Sequence, residues 1–327
     1  MRALWLLLLV PAAMGACGSG DGSSPGAPDG GASSGSSSGA TNANNHLPGG
    51  GSAAEAGADG DAPPGTDPCA TLLTLPAALP SAANTGVPTG IALTASGDIE
   101  ADTPGMVIEA KDVTGQILVN ANDVTIKNSK VHSKGGENDI AIKIKDGVKG
   151  TKVLHSEVYT ETGGYVGFLG GDALVCASYF HGWENALTVG GGMIIQASFI
   201  EKLASGQTGP HFDGIEIYGG GSATKVVGNH IRMTDAKGEW LGETGAINLT
   251  AYQGDIDDVE MNGNTLGGGS YTLYVDEQND SKATNVKITN NTFYKATAAY
   301  GTHLIRREAS VTVFTGNRTD DGKAVEK

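Results

Sequence analysis

The chain has 327 residues, of which 51 are Gly, and only 17% are Asp, Glu, Lys or Arg. Glycine is at about twice its usual share but follows no G-X-Y period, which excludes a collagen triple helix. A net charge of -15 and a pI near 4.8 argue against a binder of nucleic acid or anionic membrane, because both need clustered Lys and Arg.

Residues 1–16 read as an export signal: Arg2 supplies a positive end, Ala3 to Val10 is apolar, and small residues follow. The apolar run is shorter than the roughly 20 residues that span a bilayer core, and no later segment reaches that length. Met14-Gly15-Ala16-Cys17 resembles a bacterial lipobox, although Met14 stands where Leu is preferred. That makes Cys17 the expected lipidated terminus; the other reading is a plain cleaved signal with an incidental cysteine. Residues 17–67 are rich in Gly, Ser, Ala and Pro, with Leu47 the only large aliphatic side chain, and are expected to be a disordered tether. The expected address is therefore an exported chain, lipid-anchored at the bacterial outer membrane or cell surface, with a folded domain over 68–327.

Cys69 and Cys176 remain. Export permits a disulfide between them, while the apolar run Ala173 to Phe180 equally suits a buried thiol. No cysteine spacing fits a zinc site.

From Cys69 onward, short strand-like runs are broken by Gly, Asn and Asp, with no helical period. One six-residue pattern recurs: apolar, any, small or polar, Ser or Asn, any, usually apolar. It starts at Ile126, Val153, Val175, Ile195, Val226, Met261, Ile288 and Phe314. Such a period signifies stacked coils, each burying its apolar side against its neighbours. Ser or Asn at the fourth place is expected to tolerate a left-handed bend and to hydrogen-bond along a ladder. A second strand family follows, represented by Ala141–Ile144, Ala186–Val189, Gly214–Ile217, Ala246–Leu249 and Thr272–Val275. Its alternation puts Ile, Leu and Val inward and Lys143, Thr188, Glu216, Asn248 and Tyr274 outward. The fold expected is all-β, a single-chain, right-handed parallel β-helix of about 8–10 coils. A β-propeller needs about four strands per 40-residue period, and here there are two or three per coil.

Gly86-Val87-Pro88-Thr89-Gly90, the run Asp112 to Val131, and His211-Phe212-Asp213-Gly214-Ile215 ahead of Val226 to Ile231 resemble secreted bacterial right-handed β-helix repeat proteins. That resemblance covers about residues 85–322. It implies the pectate-lyase-like fold and an association with extracellular polysaccharide, but supplies no catalytic residues. The paired-Asp motifs and Arg-x-Lys of polygalacturonases, and the calcium-binding Asp cluster of pectate lyases, are not recognisable.

The outward row of the second strand family is the expected groove. His211, Asp213, Glu216 and Tyr218 are the catalytic candidates, and Lys143, His181, Trp183, Asn248, Tyr274 and Asp276 the substrate-binding ones. In a lyase, His211 or Tyr218 removes a proton next to a uronate, which Lys143, Arg306 or a bound Ca²⁺ neutralises. In an inverting hydrolase, Asp213 works with Asp276 or Glu216 across about 6.5–9.5 Å. Alternatively Asp213-Gly214 is only a turn, and the strand face only a solvated one. Arg306 and Arg307 read as capping or surface charge and the Gly runs as strand corners; the acidic loop with Asp255, Asp257, Asp258 and Glu260 reads as a solvated loop, the other reading being a calcium locus, for which it lacks EF-hand spacing. No metal ligand set is assigned. The expected function is a monomeric cell-surface module that binds polysaccharide, as an enzyme or as a non-catalytic adhesin or stalk.

Overall fold

The computed structural model describes residues 67–252 and 254–327. The export signal, Cys17 and all of the tether except Asp67 lie outside the described residues.

Among the described residues, nine strands stack in strict parallel order, from Val107–Glu109 through Ala173–Cys176 to Val311–Thr315. Each comes from one successive coil, so the chain winds nine times, within the 8–10 coils expected; the first, Val107–Glu109, precedes the eight hexads. The other two faces merge into one 17-stranded parallel sheet, because Glu157–Gly170 and Tyr179–Val189 run through the bend between them. This is the β-helix expected, and right-handed crossovers are the general rule for parallel strands.

The repeated hexad is the corner between the first two faces. Its third residue carries the left-handed backbone in every copy: Asn128, His155, Ala177, Ala197, Gly228, Gly263, Asn290 and Gly316 have φ between 46° and 69°. The Ser or Asn that follows does not take that strain, contrary to expectation. It turns inward, and forms the ladder. Ser129, Ser156, Ser178 and Ser198 accept from the backbone of the preceding coil or bond to their own, and Asn229, Asn264, Asn291 and Asn317 continue the column. The inward side chains of the second strand family, among them Phe168, Leu187, Ile215, Ile247 and Leu273, are wholly buried in one core.

A strap of chain before the first coil crosses the stack. Cys69 is bonded to Cys176 with Cα atoms 5.9 Å apart, which settles the thiol in favour of the disulfide. Gln196, fully buried, donates to Pro68 O and Thr71 O and accepts from Leu73 N. Further on, Pro80 O meets His230 Nδ1, and Gly86 N donates to Ala177 O. No helix among the described residues is long and apolar enough to cross a membrane.

Candidate functional site

Parallel register lines up one outward row: Lys143, Leu169, Thr188, Glu216, Asn248 and Tyr274 sit side by side on six successive coils. The row is not a bare face. A groove of roughly 700 Å³ follows its first half, lined by Lys143, Leu169, Thr188, Gly190 and Tyr218.

Glu216 is half-buried in the row. Its Oε2 accepts from Thr188 Oγ1 (3.0 Å) and from Asn185 Nδ2 (3.3 Å). Burial pushes its carboxyl above the usual range, and the charge of Glu184 adds to that, against the Thr188 hydrogen bond and His211. Burial also raises the phenols of Tyr218 and Tyr165, with Glu216 next in effect. A carboxyl raised in this way beside a groove is the arrangement a general acid needs.

Sequence reasoning missed Glu184, Asn185 and Tyr165. Glu184 is 5% exposed; its Oε1 accepts from His211 N (3.2 Å) and its Oε2 from Ser205 Oγ. It thus pins both ends of the segment 205–211 that leads into the strand Asp213–Tyr218. A signal was present: Trp183-Glu184-Asn185 precedes Ala186–Val189 as His211-Phe212-Asp213 precedes Gly214–Ile217, so the two triplets fall in register.

Three sequence candidates need correction. Asp213 belongs to the cluster but is 2% exposed, so it does not face the groove as an acid or base. Trp183 is fully buried, with Nε1 donating to Val158 O (3.0 Å), because the strand bends inward there and Gly164 and Gly167 leave room for the indole. His181 belongs to another face. Its ring is stacked 5.0 Å from Tyr159 and lies 4.4 Å from Tyr179, leaving no free face for a sugar ring.

Asn248 and Tyr274 are half-buried in the row, where Asn248 accepts from Thr250 Oγ1 (2.9 Å). Asp276 is 7% exposed and paired with Arg306 (3.1 Å), so both the proposed partner carboxylate and the proposed uronate clamp are engaged with each other. His211 is exposed beside the cluster, and Lys143 is exposed at the far end of the groove.

Among the described residues, one set of three metal-type ligand atoms lies within 4.8 Å: Asp67, Cys69 and His155. Cys69 is spent in the disulfide, and Glu184, Asp213 and Glu216 do not form such a set. The acidic loop is tied to the coils on either side, with Asp257 accepting from Thr284 and Asn285 (both 2.6 Å) and Asp258 paired with Lys225 (3.0 Å).

The His181 face carries a prediction of its own. Glu157, with 19% of its side chain exposed, binds Lys130 (2.7 Å) and His181 (3.1 Å). Burial works to raise its carboxyl, but the hydrogen bonds from His181 and Lys130 outweigh it and lower the pKa from 4.5 to about 2. A depressed folded pKa contributes stability above the unfolded value and loses it as pH falls through the folded one. Discounted for screening, about 1–2 kcal/mol should disappear between pH 4.5 and 2. Urea titrations of wild type and Glu157→Gln should converge over that window; curves that stay parallel would refute the assignment.

Comparison with protein-family models, curated proteins and solved structures returned no match, so the β-helix is established by the strand register of the chain itself.

Proposed function

We propose that this β-helix binds an extracellular polysaccharide along its groove and hydrolyses it, water adding to the anomeric carbon as the glycosidic C–O bond breaks and Glu216 donating a proton to the leaving oxygen. The observation that carries this reading is one carboxyl, held above its usual pKa by burial and by Glu184, beside a groove whose wall includes Tyr218. A sugar chain running along the stack meets one coil about every 4.8 Å, close to one ring per coil. Tyr218 then offers a flat apolar face, and the half-buried Asn248 amide offers a partner for hydroxyls. The resemblance to secreted β-helix proteins of the pectate-lyase-like group, and the lipobox-like Cys17, support a glycan substrate outside the cell and a lipid-anchored chain.

Hydrolysis is favoured over the lyase route by where the cations lie. Lys143 is three coils from Glu216, on the order of 14 Å. Arg306 is occupied by Asp276. A uronate at Glu216 would therefore face Glu184 without a neutralising Lys or Arg.

The test is a glycan panel assayed for new reducing ends. Glu216→Gln should lower kcat by at least about a hundredfold and leave glycan affinity within a few-fold. Binding without cleavage of any glycan would instead identify a non-catalytic adhesin or stalk. Neither binding nor cleavage, with Tyr218→Ala indistinguishable from wild type, would refute the glycan reading altogether.

A further inference from the structure

Two buried oxygens beside Glu216 lack any hydrogen-bond donor: Asp213 Oδ1 and Asn185 Oδ1. Both side chains are more than nine-tenths buried, at 2% and 5% exposure. They are also register partners on adjacent coils, so their side chains stand about 4.8 Å apart along the stack. Two orphaned acceptors in such a position each carry an uncompensated desolvation cost. A single proton satisfies both, because a protonated carboxyl is a donor as well as an acceptor.

The remaining contacts fit that arrangement. Asp213 accepts from the Asn248 side chain and from the Gly245 backbone. Oδ1 has no donor of its own, so it is the oxygen free to carry the proton. Asn185 meanwhile donates through Nδ2 to Glu216 Oε2 (3.3 Å), which fixes its amide with Oδ1 turned away from Glu216. The titratable and charged groups around Asp213 are Glu184 on the preceding coil, Glu216 on its own strand, Tyr274 two coils on, and His211 at the entry to the strand. Two of the four are carboxylates and none is Lys or Arg, so the surroundings disfavour an ionised Asp213.

We propose that Asp213 is a built-in hydrogen-bond donor whose Oδ1–H bonds to Asn185 Oδ1, so that Asp213 orients the amide that holds Glu216. Asp213 is then a positioning residue, and its consequence for catalysis rests on the role of Glu216 proposed above. The arrangement itself does not.

Asp213→Asn replaces the acid hydroxyl with an amide N–H of the same shape, so the measurement needs no substrate. A group with a raised folded pKa contributes stability that is complete below its unfolded pKa, near 4, and is lost as pH rises toward the folded value. The variant has nothing to titrate there. Its melting temperature should match wild type at pH 4 and exceed it by about 2–5 °C at pH 8. Infrared difference spectra, wild type minus variant at pH 7, should show the carbonyl stretch of a neutral carboxylic acid. A variant less stable than wild type at pH 8, or a carboxylate band in its place, would overturn the proposal. So would stabilisation of wild type, but not the variant, by added Ca²⁺ or Na⁺, since a cation would then bridge the two oxygens. These readouts are independent of cleavage, so failure of the hydrolase reading leaves them intact.

Discussion

Asn264→Ala should destabilise the domain by about 3–5 kcal/mol, more than a typical core truncation to Val. Asn264 is 1% exposed and makes four hydrogen bonds across three coils. Its Oδ1 accepts from Asn229 N (2.9 Å) and Asn229 Nδ2 (3.0 Å), while its Nδ2 donates to Val226 O (2.8 Å) and Asn291 Oδ1 (3.0 Å). Alanine strands Asn229 N without its acceptor inside the column, and it takes one of two partners from Asn229 Nδ2, which keeps Ile195 O, and from Asn291 Oδ1, which keeps Asn264 N. Serine, which occupies this place in the earlier coils, keeps a smaller set and should cost roughly half as much. Chemical denaturation measures both. Because the column is continuous, Asn229→Ala combined with Asn264→Ala should cost less than the sum of the singles. A loss under about 1 kcal/mol for Asn264→Ala would mean that the column is not a stabilising unit.

Breaking the Cys69–Cys176 bond should have a comparable effect. The bond closes 107 residues of chain, for which the loop-entropy account gives about 4–5 kcal/mol and measured bridges commonly about 2–4. Cys176 is fully buried, so Cys176→Ala is a better probe than a polar replacement. Its strap neighbours Leu72, Leu73 and Leu75 are about half exposed, and Gln196 is their principal polar hold. Reduction should therefore lower the melting temperature by several degrees, and make the segment from Thr71 to Leu79 the first site of proteolysis within the domain 68–327. Equal melting and equal protease patterns with and without reductant would show that the strap is held without the bond.

The fold was legible because its repeat is local. Each hexad states a corner, and eight of them in phase leave few architectures other than stacked coils. The identity of the bent residue was less legible. Asn128 and Asn290 occupy the left-handed position itself, which made Asn at the fourth place look like part of the same bend. Burial separated them: Asn290 is exposed, while Asn291 beside it has no exposure at all.

The site was partly legible. Strand alternation placed Lys143, Thr188, Glu216, Asn248 and Tyr274 on one row, and the register aligns them. Alternation applies only where strands are straight, however. At the bend before each long strand it fails, and there Trp183 and Asp213 turn inward while Glu184 joins the cluster.

The acidic balance and the glycine excess bounded the function classes, and the hexads determined the coil, its number of turns and its inward face. These depend on spacing along the chain, which a sequence contains in full. Tertiary structure alone decided that Cys69 reaches Cys176, that the rings around His181 stack on one another, and that Asp213 is sealed beside Asn185. Each of these depends on which coils become neighbours and how the backbone bends between faces. Such distances arise only when loops of unequal length close into a common register.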